Sequence, residues 1–219
     1  MLMHQKSSRS LIVCGLICTA LMLPLLGTPS RSLAQDKATL GVKIPKGTMD
    51  AVTAILTRRS IRDYTPHPVP EELIKLLLTA GMAAPSAFNE RSTEFVVVND
   101  PKILKEFAKV NPKSRQLKKM TVGIVVCGNT NKERKKGQGY WQLDGAVASE
   151  NILIAANAVG LGAVWTAIYP YPDRIPKVQK LLNLPKEVIP LNIIPVGYPA
   201  ERKITGDRFD KARAHYNHW

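Results

Sequence analysis

The chain has 219 residues and carries 31 Lys and Arg against 17 Asp and Glu, a formal net charge of +14. That length, with a 45% hydrophobic share, supports one domain with a sizeable core, and only three cysteines exclude a disulfide-stapled scaffold. The basic balance selects for anionic partners and against cationic ones: phosphorylated ligands, acidic surfaces or nucleic acid.

Residues 1–34 read as an export signal. Lys6 and Arg9 precede the largely apolar run Leu11–Leu26, which contains Pro24, and Ser32-Leu33-Ala34 offers small residues where a signal peptidase reads. The run is shorter than the roughly 20 residues a spanning helix needs, so no stable membrane span is expected after cleavage. The mature chain is expected to begin at Gln35 in a periplasmic or extracellular setting. Cys14 and Cys18 leave with the signal. Cys127 then has no internal disulfide partner and, within an apolar run, is expected to be a packed core residue.

Residues 35–47, with Gly41, Pro45 and Gly47, read as a linker before a domain at 48–219. Thr48 is placed to cap a helix whose Met49, Val52, Ile55 and Leu56 share one face. At its exit lies Arg58-Arg59-Ser60-Ile61-Arg62. Three guanidiniums and a hydroxyl within five residues suit a phosphate and an electron-rich ring edge, because Arg binds oxyanions bidentately and keeps its charge when buried.

Pro66, Pro68 and Pro70 form a stiff connector. Pro70 opens a second helix with Glu71 and Glu72 in its first turn and Leu73, Ile74, Leu77 and Leu78 as its stripe. It runs out between Gly81 and Pro85, before Pro85-Ser86-Ala87-Phe88-Asn89. A strand is predicted at 94–99, a helix at 101–110 and a central strand at 121–127, apolar on both faces. The basic runs 113–119 and 132–136 lack interleaved aromatics and read as solvated loops, so nucleic-acid binding is not expected.

Residues 140–159 predict the longest helix, apolar nearly all round and therefore buried. Gly160 and Gly162 bracket its exit. A strand follows at 163–168, a short helix at 173–182, and a strand at 189–198 whose Pro190 and Pro195 predict an edge or a bulge. Residues 199–219 are polar and read as extended. The fold class is α+β: a mixed sheet covered by helices, with one central buried helix.

Familiar catalytic signatures are missing: the chain has no G-x-S-x-G elbow, P-loop or C-x-x-C. Its histidines give no ligand cluster, so metal binding is not expected. Gly160-Leu161-Gly162 ends a helix rather than opening one and is no dinucleotide fingerprint.

Taken in order, the RRSIR run, PSAFN, Tyr140-Trp141 with Asp144 and Asn151, GLGAVW at 160–165, GYP at 197–199, and Arg208 with the closing His215–Trp219 segment form a pattern. From about Asp50 to Trp219 the chain resembles the FMN-dependent nitroreductase family. The resemblance implies a nitroreductase-like fold, an intertwined homodimer whose C-terminal tails embrace the partner, and FMN at the interface. It implies that Arg58, Arg59 and Ser60 hold the phosphate and ribityl end, and that Arg62 lies by N1 and O2 of the ring. Pro85, Ser86, Ala87 and Asn89 would border the ring from the other subunit. Trp165, Thr166 and Ala167 would lie near N5 and O4. Arg208 would close on the phosphate, with Lys211 and Arg213 as competitors.

The activity so implied is that of an exported FMN-dependent oxidoreductase, with NAD(P)H as a possible donor. Nitroaromatics, quinones or similar acceptors would be reduced by ping-pong chemistry with no protein acid or base. Relatives performing reductive dehalogenation or flavin fragmentation supply one alternative, and a basic non-enzymatic binding protein another. One departure bears on substrate choice: Arg91-Ser92-Thr93 stands where many members carry Gln-Pro-Trp.

Overall fold

The computed structural model describes residues 41–134 and 138–219; the expected signal at 1–34 and the linker up to residue 40 lie outside them. Two apolar runs set the architecture. Strands β2 (Val122–Asn129) and β5 (Val188–Gly197) pair antiparallel in the middle of the sheet. β1 (Thr93–Val98) flanks β2, while β3 (Gly162–Ala163) and β4 (Thr166–Ala167) both pair with β5 on its other side.

Alternation along β2 divides the core. Ile124 and Val126 face one side with Ile194 and Val196, against Leu77 of α2 (Glu71–Met82) and Ile152 of α5 (Tyr140–Ala158). Val125, Cys127 and Ile193 face the other, against Leu104 and Phe107 of α3 (Pro101–Val110) and Val178 of α6 (Ile175–Leu182). Strands covered on both faces need apolar residues at every position, as these runs supply. Each such Ile or Val contributes about 1.5–3 kcal/mol on burial. Two short helices complete the chain: α1 (Ala51–Thr57), and α4 (Gln116–Lys119) ahead of β2.

The α+β expectation holds, with several corrections. The mixed character of the sheet shrinks to one parallel bridge, Ser60 to Ala163; the named strands all pair antiparallel among the described residues. The strand expected at 163–168 is split at Val164 and Trp165. That split explains how β5 stays central despite its prolines. Pro195 lies opposite the gap between β3 and β4, so it interrupts no ladder on that side, and Pro190 sits at the register shift opposite Val126 and Cys127. The bulge is therefore present and the edge position is not.

Asp50, not Thr48, caps α1. Its carboxylate accepts the Thr53 N–H at 3.0 Å, while the Thr48 hydroxyl donates to Pro45 O at 2.7 Å. Pro70 likewise sits one step outside α2, at its N-cap. The stripe of α1 also points away from the core. Ala54 alone is buried, and Val52 and Leu56 are each 64% exposed. Helix α5 is buried along Trp141, Asp144, Gly145, Ala148, Ser149, Ile152, Leu153 and Ala156, whereas Leu143 and Val147 are exposed. The expected all-round burial is therefore one-sided within a single chain.

Gly160 leaves α5 in the left-handed region, φ +80°. Gly162 has a different task. A Cβ there would come within 2.6 Å of Ile61 Cγ2, so only glycine lets the segment after α1 lie against β3. Gly162→Ala should cost about 2 kcal/mol by overpacking, read as a lowered urea midpoint with an unchanged slope. Cys127 is fully buried, and burial, then the Glu94 charge, pushes its thiol up to about 12. In a chain lacking residues 1–34, a thiol reagent at about pH 8 should leave the folded protein unmodified and react fully in denaturant.

Candidate functional site

The arginine run is fastened to the sheet by its backbone. Ser60 bridges Ala163, and Ile61 N–H donates to Ala163 O at 3.1 Å. This leaves the side chains to gather counter-groups. Arg58 Nε pairs with Glu150 Oε1 at 3.0 Å. Arg59 Nε donates to Ile204 O at 3.1 Å, and its Nη1 to Arg58 O at 2.9 Å, so the guanidinium is held by carbonyls. Lys203 Nζ bonds Ser60 O and lies 3.3 Å from Glu201 Oε1. Glu201 also accepts the backbone N–H of Arg62 at 2.5 Å and stands 3.4 Å from Arg115.

Electrostatics mark the spot as short of negative charge. Desolvation, then the fields of Arg208 and Arg58, lower the pKa of the Arg59 guanidinium below its ordinary value. Like charges that crowd in this way gain most from an anion placed between them. Glu201 is held below the usual carboxylate range, first by the Arg62 N–H and then, against desolvation, by Lys203 and Arg115. It is the acid the cluster shares.

The segment 165–167 follows two residues after the Ser60–Ala163 bridge, and so lies along the same sheet edge as the arginine run. Trp165 is half-buried against the core. Thr166 is buried, and its Oγ1 accepts from Gln116 Nε2 at 3.0 Å, which leaves the hydroxyl proton available to another acceptor. Ala167 O is already engaged by Arg174 Nη1 at 2.8 Å.

Pro85, Ser86, Ala87 and Asn89 are elsewhere. They belong to a tight loop in which Phe88, Asn89 and Arg91 adopt positive φ (52°, 58° and 51°). Each such residue costs about 1–3 kcal/mol and persists only where its surroundings fix it. Here Asp144 of α5 fixes the loop: Oδ1 accepts the Ala87 N–H at 2.9 Å and Oδ2 the Ser92 hydroxyl at 3.0 Å. Ser86 Oγ accepts the Arg91 N–H at 3.0 Å. The loop walls a cavity of about 460 Å³ whose lining includes Gly81, Ala84, Pro85, Phe95, Ala148 and Arg91. Arg58, Arg59, Arg62 and Arg208 take no part in that lining. One chain thus gathers the arginine run and Arg208, sets Trp165–Ala167 beside them, and holds Pro85–Asn89 apart.

Sequence reasoning missed Glu201, Lys203, Gln116 and Glu150 as parts of the cluster. The tail residues carried no signal beyond their charge. Asp144 was visible as an acid in an otherwise apolar helix, but its task of holding the loop was not. Among the described residues no group of three or more His, Cys, Asp or Glu is placed to hold a metal ion.

Comparison with known proteins adds a family. The profile of the Nitroreductase family matches residues 55–119 and 112–198. A protein of Methanothermobacter thermautotrophicus, named for NADH dehydrogenase and NAD(P)H nitroreductase activity, is 44% identical over 183 residues, which are 84% of this chain and 95% of that one. A similarly named crystal structure from Parabacteroides distasonis is 46% identical, with a TM-score of 0.72 over 77% of this chain and 98% of the other. A structure from Desulfovibrio desulfuricans, named as a nitroreductase in complex with FMN, is 26% identical and superposes with a TM-score of 0.66 over 78% and 98% of the two chains. The chain belongs to the nitroreductase family.

Proposed function

We propose that this protein is an FMN-dependent oxidoreductase that draws electrons from NAD(P)H and delivers them to nitroaromatic, quinone or similar small acceptors. The observation that carries the reading is the cation cluster of Arg58, Arg59, Arg62, Lys203 and Arg208 around Ser60, pinned to the sheet beside Trp165 and Thr166. Its residues fit FMN: several cations and a hydroxyl for a phosphate, with an aromatic wall and an oriented hydroxyl nearby for a ring. The Desulfovibrio desulfuricans relative named as an FMN complex supports the same cofactor.

When bound, FMN supplies reversible two-electron chemistry that no side chain offers. The protein supplies binding and a field. Arg58, Arg59 and Arg208 with Ser60 would hold the phosphate, assisted by Lys203. Arg62 would present positive charge to the ring edge, where reduction places negative charge. Gln116 keeps the Thr166 Oγ1 occupied as an acceptor, so its proton would serve a ring heteroatom. Trp165 would exclude water from one side. A donor and an acceptor using one pocket in turn give ping-pong kinetics.

A second copy would complete the site. Val52, Ile55 and Leu56 on α1, Leu143 and Val147 on α5, and the tail residues Phe209, Tyr216 and Trp219 are all exposed in the single chain and would supply apolar surface for it to bury. In the homodimer, Pro85–Asn89 of one copy would meet the arginine run of the other. Residues 1–34 would direct export and be removed, which amino-terminal sequencing of the exported protein tests by a start at Gln35.

Arg59→Ala should remove about 2 kcal/mol of FMN affinity, a roughly 30-fold rise in Kd by flavin fluorescence titration, while Lys177→Ala leaves it unchanged. An Arg59→Ala protein that keeps wild-type affinity would remove the cluster's role. Val52→Asp combined with Leu56→Asp should give a monomer by analytical ultracentrifugation, with FMN lost in parallel. A variant that stays dimeric and yellow would place the interface elsewhere.

A further inference from the structure

Arg91 has no counter-ion among the described residues. Its Nε donates to Asn89 Oδ1 at 3.3 Å, and no carboxylate lies within ion-pair distance of it among the described residues. Its neighbour Arg134 differs: that guanidinium approaches Glu90 and covers the Phe88 ring at 5.6 Å. Arg91 and Asn89 both line the 460 Å³ cavity, whose other walls are largely small or apolar, Ala83, Ala84, Pro85, Phe95 and Ala148 among them. The volume is in the range of ordinary small-ligand pockets.

The backbone holds this cation on purpose-built terms. Asn89 and Arg91 are both left-handed, and the loop between Ser86 and Ser92 is tied down by Ser86 Oγ and by both oxygens of Asp144. With Asn89 Oδ1 taken by Arg91 Nε, the Asn89 amide nitrogen and the two terminal nitrogens of the guanidinium remain as donors. A paired set of N–H groups in the lining of a cavity that is apolar on its other walls and polar at Ser86, Thr93 and Asp144 matches the two oxygens of a carboxylate. Asp144 also lines the cavity, with its oxygens already engaged by Ala87 and Ser92, and its charge repels an anion from that side. The two charges together orient a ligand: carboxylate toward Arg91, ring inward.

We propose that Arg91, supported by Asn89, forms an anion subsite in this cavity that selects aromatic acceptors bearing a carboxylate over neutral ones of the same shape. This rests on the flavin oxidoreductase reading for the word acceptor, but not for the binding preference. The net positive charge of the chain adds attraction at a distance.

The test uses the chain from residue 35 onward, loaded with FMN and kept oxidised, titrated by calorimetry with 4-nitrobenzoate and with 4-nitrobenzyl alcohol. Wild type should bind the carboxylate about tenfold more tightly at low salt, with the ratio falling as salt is raised. Arg91→Gln should bring the ratio to near one, and Arg91→Lys should retain part of it. Arg91→Asn, which suits a left-handed residue, guards against a loop that fails to fold. The subsite is overturned if Arg91→Gln and Arg91→Asn keep the wild-type ratio, or if wild type does not distinguish the two ligands. A colourless chain that cannot be loaded but still prefers 4-nitrobenzoate through Arg91 would support the subsite while ending the flavin reading. A colourless chain with no preference would end both.

Discussion

Helix α5 is apolar along most of its length, and its few polar side chains act as brackets from which the rest of the site hangs. Asp144 holds the 86–92 loop. Glu150, about 9 Å further along the axis, holds Arg58. Asn151 donates to Ala80 O at the end of α2, and Asn157 donates to both Ala54 O and Thr57 Oγ1 of α1. Ser149 accepts from Asn192 of β5. Each of these groups is answered by a neighbouring element, and for the buried Asp144 and Ser149 that is the condition for keeping them in an apolar setting. The helix therefore fixes spacing as well as burial: loop, arginine run and α1 cannot shift independently.

The opposite side of this arrangement is unfinished. The outward stripe of α1, the exposed leucine and valine of α5, and a tail with bare aromatic side chains all stand open to solvent in the single chain. An amphipathic helix normally turns its stripe inward. Here the small Ala54 takes the inward position and lets α1 lie close to α5, and the larger residues face out. Sequence periodicity reports that a stripe exists, but not which way it faces.

That distinction explains what could and could not be read in advance. Residues 122–127 and 189–197 were legible as strands because burial on both faces demands unbroken apolar runs, and α3 was legible at its start because a proline opens it at Pro101. The cap of α1 was misplaced by two residues, since Thr48 and Asp50 are both competent and only tertiary placement decides. The prolines of β5 pointed toward an edge because the split between β3 and β4, which excuses Pro195, depends on a break at Val164–Trp165 that no local rule predicts. The arginine run announced itself through density of charge. Glu201 and Lys203 did not, because their relevance comes from a chain reversal that brings residues 199–204 beside residues 59–65.

The left-handed stretch at Phe88, Asn89 and Arg91 separates two kinds of change open to this protein. Its backbone path is dictated by groups lying outside it, chiefly the Asp144 carboxylate, so the path survives when an outward-facing tip is exchanged. Descendants could therefore trade one preference for another at position 91 without rebuilding the frame, whereas a change at 144 would dismantle every preference at once.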